Sequence, residues 1–158
     1  MVDACVDYRK AQSRLLTKWP SVPIEVAPIA ARVVVAALRD IGSSDPRVRD
    51  GPLAKSGPLK TDQDFFIVDA PFKTLVTASD VAAGNGGKGD GTDGVWQVER
   101  LAEKIKAITG VLEVGIFYGM DGYEAKDVGD KKGGQKPVAV YFGMEDGSVK
   151  VRTKKGES

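Results

Sequence analysis

The feature that most constrains this chain is a pair of apolar helical stripes, each of which stops at a glycine. The first stripe repeats at three and four residues before Gly42 and comprises Ala30, Val33, Val34, Ala37, Leu38 and Ile41. The second stops before Gly110 and comprises Val98, Leu101, Ile105 and Ile108. Pro28 suits the first position of the first helix, because its missing N–H needs no partner there. Thr92 or Asp93 is the expected cap of the second helix.

Strand patterns alternate with these helices. Residues 22–26, 47–59, 65–69 and 111–117 are predicted strands, the second of them broken by two Gly-Pro pairs. The order is therefore strand, helix, strand, strand, helix, strand, which is the split β-α-β ferredoxin-like order of an α/β (α+β) fold. A hairpin of residues 138–142 and 149–151 should follow, with Asp146 and Gly147 in its turn. This fold is widely reused, so by itself it indicates no function.

Four segments are expected along the chain. Residues 1–20 hold a strand remnant near residues 4–7, and residues 21–118 form the ferredoxin-like domain with a Gly-rich insertion at residues 82–94. Residues 119–137 are a Gly-rich loop, and residues 138–158 are the C-terminal hairpin and tail. Residues 82–94 and 118–135 have no apolar period, so we expect both to be mobile.

Composition narrows the classes of partner. A formal net charge of +1 and the lack of a long apolar run favour neither nucleic acid nor a membrane. No signal peptide is expected at the start of the sequence. Cys5 is the single cysteine, which fits a reducing, cytoplasmic compartment, and we expect it to be a buried structural thiol. The sequence has no histidine, which excludes Ser-His-Asp catalysis and the commonest zinc sites.

Two further patterns are weak evidence for a binding site. Gly84–Gly89 fits G-x-G-x-x-G, but a dinucleotide site needs that motif between a strand and the start of a helix. Here residues 77–83 are only a poor strand candidate and the helix starts several residues too late, so we expect no cofactor. Loop aspartates do not have the spacing of an EF-hand, and we expect solvated carboxylates at Asp90, Asp93, Asp121, Asp127 and Asp130.

Five stretches, in this order, resemble ribose-5-phosphate isomerase of the A type, particularly its fungal form. They are V-D-Y-R-K at 6–10, V-P-I-E-V-A-P at 22–28, the A-K-S-G-P…T-D…F-I-V-D-A hairpin at 54–70, I-T-G-V-L-E-V-G-I-F at 108–117, and V-Y-F-G…D-G-S-V at 140–149. Each stretch alone is weak evidence for the resemblance, but together the five span nearly the whole chain. The Gly-rich loops depart from the family pattern and resemble insertions.

The resemblance implies an aldose-ketose isomerase that interconverts ribose 5-phosphate and ribulose 5-phosphate through an enediol, without metal or cofactor. In the family, the carboxylate base, a D-G-[AT]-D motif, a K-G-G-G loop and the phosphate loop all precede the point that matches Met1. The resemblance therefore implies a chain that matches the C-terminal half, lacks catalytic residues and is inactive alone, with residues 1–20 a remnant of the catalytic domain. One position carries over: Lys10 matches a lysine that contacts the sugar phosphate.

Two strings imitate the missing motifs. Asp90–Asp93 spells D-G-T-D, and residues 132–134 spell most of K-G-G-G, but both lie in the wrong part of the pattern and are expected to be coincidences.

Two other functions stay open. The chain can be a non-catalytic binding or oligomerisation module of the same ancestry, with homo-oligomers formed through exposed strand edges. It can also be a small-ligand regulatory module, which only fold analogy supports.

Overall fold

A computed structural model describes residues 3–52, 57–130, 134–154 and 156–157. Its strands are β1 (Asp3–Asp7), β2 (Ser21–Val26), β3 (Arg47–Val48), β4 (Phe66–Pro71), β5 (Val111–Val114), β6 (Ala139–Gly143), β7 (Val149–Thr153) and β8 (Gly156–Glu157). Its helices are α1 (Ala31–Asp40), α2 (Ala78–Ala82), α3 (Val98–Lys106) and α4 (Gly122–Asp127). Two compact units result: a central unit of residues 14–116, and a terminal unit formed by the described residues of 1–13 and 117–158.

The central unit has the predicted ferredoxin-like topology. Its sheet has the order β3-β4-β2-β5, and every neighbouring pair is antiparallel. Ile24 in the middle of β2 lies opposite Val68 of β4 on one side and Val114 of β5 on the other. Partners in an antiparallel register share a face of the sheet, so these three side chains meet on the same side.

One face of this sheet is fully covered. Val22, Ile24 and Val26 alternate along β2 and are all buried. Helices α1 and α3 bury their own apolar residues against this core: Ala31, Val34 and Leu38 from α1, and Leu101, Ala102 and Ile105 from α3. The prediction of the α1 stripe was wrong at Val33, which is 64% exposed, because Val33 lies outside the buried face that carries Ala31, Val34 and Leu38.

The predicted glycine stop of α1 is confirmed, because Gly42 directly follows the C-cap residue Ile41. Helix α3 ends earlier than predicted, at Lys106 with Ala107 as its C-cap, so Gly110 lies in the turn beyond it and does not stop it. Gly42 has φ +97° and Gly110 has φ +96°, the left-handed conformation that glycine adopts without steric cost. At the end of α1 the N–H of Gly42 donates to the carbonyl of Arg39 and that of Ser43 to the carbonyl of Leu38. These bonds satisfy the last carbonyls of the helix.

The predicted cap of α3 was wrong. Gln97, not Thr92 or Asp93, is its N-cap, and its side chain accepts a hydrogen bond from the N–H of Arg100. Asp93 instead accepts from the N–H of Val95 within a turn. Residues 77–83, the poor strand candidate, contain helix α2, because Thr77 and Asp80 form a reciprocal capping box.

The terminal unit is built on a second sheet with the order β1-β6-β7-β8. β1 and β6 are parallel, and β6 and β7 form the predicted antiparallel hairpin. Gly147 has φ +82° in its turn, where the side chain of Asp146 accepts from the N–H of Ser148. Strand β8 was not predicted.

The segment 119–137 is not simply the Gly-rich loop that the sequence predicts. Helix α4 occupies part of it, because the side chains of Asp121 and Glu124 cap the helix reciprocally and Ala125 is fully buried. The prediction of a solvated Asp121 was also wrong, since this residue is 1% exposed. In the described ranges, no helix has the length and apolarity needed to cross a membrane.

Candidate functional site

Lys10 lies directly beyond the carboxyl end of β1. It is the last residue of a 3-10 turn, Tyr8–Lys10, and is exposed. Because β1 and β6 are parallel with Asp7 opposite Gly143, both strands end at the same edge of the sheet. The carboxyl edge of parallel strands is where open α/β sheets bind ligands. The fold therefore presents Lys10 at an edge suited to binding an anion.

Asp7 is the carboxylate nearest to Lys10 in sequence, and it is already engaged. Its side chain accepts from the backbone N–H of Arg9 at 2.8 Å and from two guanidinium nitrogens of Arg9 at 2.8 and 3.0 Å. These hydrogen bonds from Arg9 hold the pKa of Asp7 below its ordinary value. A carboxylate with a lowered pKa and both oxygens in an ion pair is poorly suited to act as a general base.

The β6–β7 turn follows β6 at this same edge and carries a second carboxylate that already accepts hydrogen bonds. The Oδ1 atom of Asp146 accepts from the hydroxyl of Ser148 at 2.6 Å and from its N–H at 2.9 Å. These two hydrogen bonds lower the pKa of Asp146. Asp146 thus stabilises the turn of the hairpin, and like Asp7 it lacks the free, raised-pKa character of a catalytic base.

The D-G-T-D string forms a turn in the central unit. Asp90 accepts from the hydroxyl of Thr92 at 2.7 Å and from its N–H at 3.1 Å. A bridge between Asp90 and Trp96 closes the turn. Of the K-G-G-G-like string, Lys132 and Gly133 fall outside the described residues.

The glycine motif lacks the geometry of a dinucleotide site. Gly84 follows helix α2 rather than a strand, and α3 begins only at Val98. Among the described residues, no group of three Cys, Asp or Glu side chains is arranged to hold a metal ion. Cys5 is exposed, so its prediction as a buried thiol was wrong. Its side chain lies on the outward face of β1 with Asp3 and Asp7.

A cluster that sequence reasoning missed joins α4 to the end of β7. The Nζ atom of Lys154 donates to Asp121 and to Glu124, each at 2.7 Å. The lysine, together with the N–H groups of Glu124 and Tyr123, lowers the pKa of Asp121 to about 2. The two carboxylates in turn raise the pKa of Lys154. The D-G-Y-E spacing of a capping box was the signal that could have revealed this helix start.

Comparison with known proteins defines the family. A model of ribose 5-phosphate isomerase A (phosphoriboisomerase A) matches residues 3–126. This match covers most of the chain, and the chain belongs to the ribose-5-phosphate isomerase A family.

Fungal relatives are similar in sequence. Ribose-5-phosphate isomerase of Mycosarcoma maydis is 36% identical over 152 residues, which are 96% of this chain and 41% of that protein. The enzyme of Schizosaccharomyces pombe is 33% identical over 96% of this chain and 42% of its own length. The chain thus spans about two fifths of these relatives.

Solved structures have the same fold. Ribose 5-phosphate isomerase A from Methanocaldococcus jannaschii matches with a TM-score of 0.63 and 28% identity, over 96% of this chain and 49% of that one. A D-ribose-5-phosphate isomerase in complex with phospho-erythronic acid matches with a TM-score of 0.62 and 26% identity. The predicted family and α/β fold class are confirmed.

Proposed function

We propose that this chain is the Lys10-bearing part of a ribose-5-phosphate isomerase, acting on a sugar phosphate in the non-oxidative pentose phosphate pathway. The observation that carries the proposal is the position of Lys10 at the carboxyl edge of the parallel β1–β6 pair, within the segment that matches the family. An ammonium group there is a point charge suited to an anionic substrate.

The chain alone is not expected to catalyse the reaction. Aldose–ketose isomerisation moves a proton from C2 to C1, and the base must lie within about 3 Å of the proton that it removes. Asp7 is held by Arg9 and Asp146 by Ser148, so neither carboxylate is suited to this task. One exposed lysine also cannot replace a loop of backbone N–H donors as a phosphate site. The base and the phosphate loop would then belong to the part of the family's length that this chain does not span.

A coupled assay with ribose 5-phosphate tests the proposal. The chain, a Lys10→Ala variant and a Lys104→Ala variant are compared; Lys104 is an exposed lysine on α3 and serves as the matched control. We expect no turnover above background from any of the three. Turnover by the chain that disappears in Lys10→Ala but persists in Lys104→Ala would contradict the proposed inactivity.

A second candidate is a non-catalytic binding or oligomerisation module of the same ancestry. It is favoured by β1, whose outer side forms an edge of the second sheet, and by exposed apolar side chains near it. Size-exclusion chromatography and the isomerase assay on one sample separate the two candidates. We place either function in the cytoplasm, without nucleic acid or membrane, on the balanced charge and the single cysteine.

A further inference from the structure

An arginine on β7 holds the backbone that follows Lys10. The Nη1 atom of Arg152 donates to the backbone carbonyl of Gln12 at 3.2 Å, across 140 positions of sequence. Both residues are half-buried. A hydrogen bond from a charged donor is stronger than one between neutral groups, and partial exclusion of water strengthens it further.

The side chain of Arg152 is itself held in place. Its guanidinium carbon lies 5.3 Å from the centre of the Phe142 ring, which is a cation–π contact. Phe142 is 6% exposed, so packing fixes the ring. A planar guanidinium that stacks on an aromatic ring keeps the donors at its edge available. The hydrogen bond to Gln12 is therefore made by an oriented group.

This contact shows how the chain runs after Lys10. β1 is parallel to β6, and both strands end at the edge where Lys10 lies. Arg152 lies opposite Val140, nearer the start of β6, and yet it contacts Gln12. The chain therefore turns back over one face of the sheet after Lys10. We call residues 8–12 the Lys10 bend.

Hydrogen bonds hold the Lys10 bend at both ends. At its start, the N–H of Arg9 donates to the side chain of Asp7 at 2.8 Å. At its end, Arg152 holds the carbonyl of Gln12. A lysine carries its ammonium group on a flexible four-carbon stem, so the backbone decides which region that group can reach. A bend released at one end would sample more conformations and spread the ammonium group over a larger volume.

We propose that Arg152 is a positioning residue, which fixes the Lys10 bend so that the ammonium group of Lys10 meets the anionic group of a sugar phosphate. The inference rests on the proposed function, which assigns Lys10 to the substrate and gives Arg152 no role. A bend that is ordered before the ligand arrives lowers the entropy cost of binding. Arg152 thus acts on the ligand through Lys10 and does not touch the ligand itself.

Amide hydrogen exchange of the chain, followed by NMR, tests the positioning. Arg152→Met keeps an apolar stem over Phe142 and removes the donor. The N–H of Ala11 donates to the carbonyl of Tyr8 within the bend. We expect this amide to exchange about tenfold faster in Arg152→Met, while amides of β6 and β7 change by less than about twofold. Arg152→Lys retains a charged donor and should restore part of the protection.

Arg100→Met is the matched control. The Nη1 atom of Arg100 likewise donates to a loop carbonyl, that of Lys88, at 2.9 Å, but in the central unit. This variant should leave the exchange of Ala11 unchanged. Unchanged exchange of Ala11 in Arg152→Met would overturn the proposal. Acceleration by one common factor throughout the bend, β6 and β7 would overturn it too, because Arg152 would then only stabilise the sheet.

Titration with ribose 5-phosphate distinguishes this inference from the proposed function. NMR shifts of the Lys10 side chain should show weak, saturable binding, with a dissociation constant at least about threefold larger in Arg152→Met and unchanged in Arg100→Met. Equal dissociation constants in the chain and in Arg152→Met would overturn the positioning. If the ligand shifts Lys10 in none of the proteins while Ala11 exchanges faster in Arg152→Met, the proposed function is contradicted and the hold of Arg152 on the bend is supported.

Discussion

The two sheets of this molecule differ in how their faces are covered. In the central unit, two helices cover one face, and Ile24, Val34, Leu38, Leu101 and Ile105 are fully buried there. In the terminal unit, Phe142 is buried on one face, while the other leaves Tyr141 and Val149 exposed. The first sheet contributes to a closed hydrophobic core. In the second unit, the ion pair Lys154–Asp121 connects the end of β7 to the start of α4. The difference predicts that the central unit is the more stable of the two.

The largest loss of stability should come from a substitution in the hydrophobic core of the central unit. Leu38→Ala removes a fully buried side chain of α1 and leaves a cavity, so it should cost about 2–5 kcal/mol of the free energy of unfolding. Ile29→Ala is the control, since Ile29 is 97% exposed and its truncation should stay within about 0.5 kcal/mol. Urea unfolding followed by tryptophan fluorescence reports on this unit alone, because Trp19 and Trp96 both lie in it. Equal costs for the two variants would show that this core is not closed.

Two glycines of the central unit provide a finer test of its packing. Gly42 and Gly110 have nearly the same positive φ, but a Cβ at Gly42 meets nothing within 4 Å, whereas one at Gly110 collides with the Cβ of Ala30. Gly42→Ala should therefore cost roughly 1–2 kcal/mol, the conformational strain alone. Gly110→Ala should cost clearly more, since it adds a clash between the new Cβ and the side chain of Ala30. The same urea experiment measures both, and a Gly110→Ala cost no larger than that of Gly42→Ala would refute the close approach.

Acid should loosen the terminal unit through Asp121. Its pKa is lowered from 3.8 to about 2 in the folded state. The carboxylate thus contributes stability that is fully present above about pH 4 and is lost as the pH falls towards 2. Asp121→Asn should weaken the acid dependence of amide exchange in β6 and β7. Asp80→Asn is the matched control, because the pKa of Asp80 is also about 2 but the residue lies in the central unit. An unchanged acid profile in Asp121→Asn would contradict the role of this ion pair.

The smallest effect is expected on the exposed face of the terminal sheet, which carries Tyr141 and Val149. Val149→Ser replaces a side chain that is 61% exposed, so the free energy of unfolding of the chain alone should change by no more than about 0.5 kcal/mol. Thermal unfolding followed by circular dichroism measures it. A loss as large as that of Leu38→Ala would mean that the face is covered within this chain.

Sequence patterns predicted the central unit well because its structure is local and periodic. The stripe of α3 and the glycine stop of α1 follow from helical spacing, and Leu101, Ile105 and Gly42 have the expected roles. Helix α4 was missed because six residues are too few for a periodic signal, and only its capping box could have revealed it. Burial was misjudged where it depends on distant contacts. Cys5 is exposed because no described element covers its face of β1, and Asp121 is buried because Lys154, 33 residues away, pairs with it.

The position of Lys10 could be predicted only in part. Its place after β1 follows from the sequence, but the parallel pairing of β1 with β6 joins residues more than 130 positions apart. Local patterns do not encode such a pairing, because it depends on the order of all the strands between. The ion pair between Asp7 and Arg9 could not be predicted from the sequence either, since charged residues two positions apart pair only in certain backbone conformations.

Amide hydrogen exchange of the chain alone most directly tests the claim that one sheet is finished and the other open. The compared strands are β2 and β6, each of which has a neighbouring strand on both sides in its own sheet. The account predicts that amides of β2 exchange only through global unfolding of the central unit, whereas those of β6 exchange clearly faster through local opening. Equal, slow exchange in both strands would contradict it, because the terminal sheet would then be as complete as the central one.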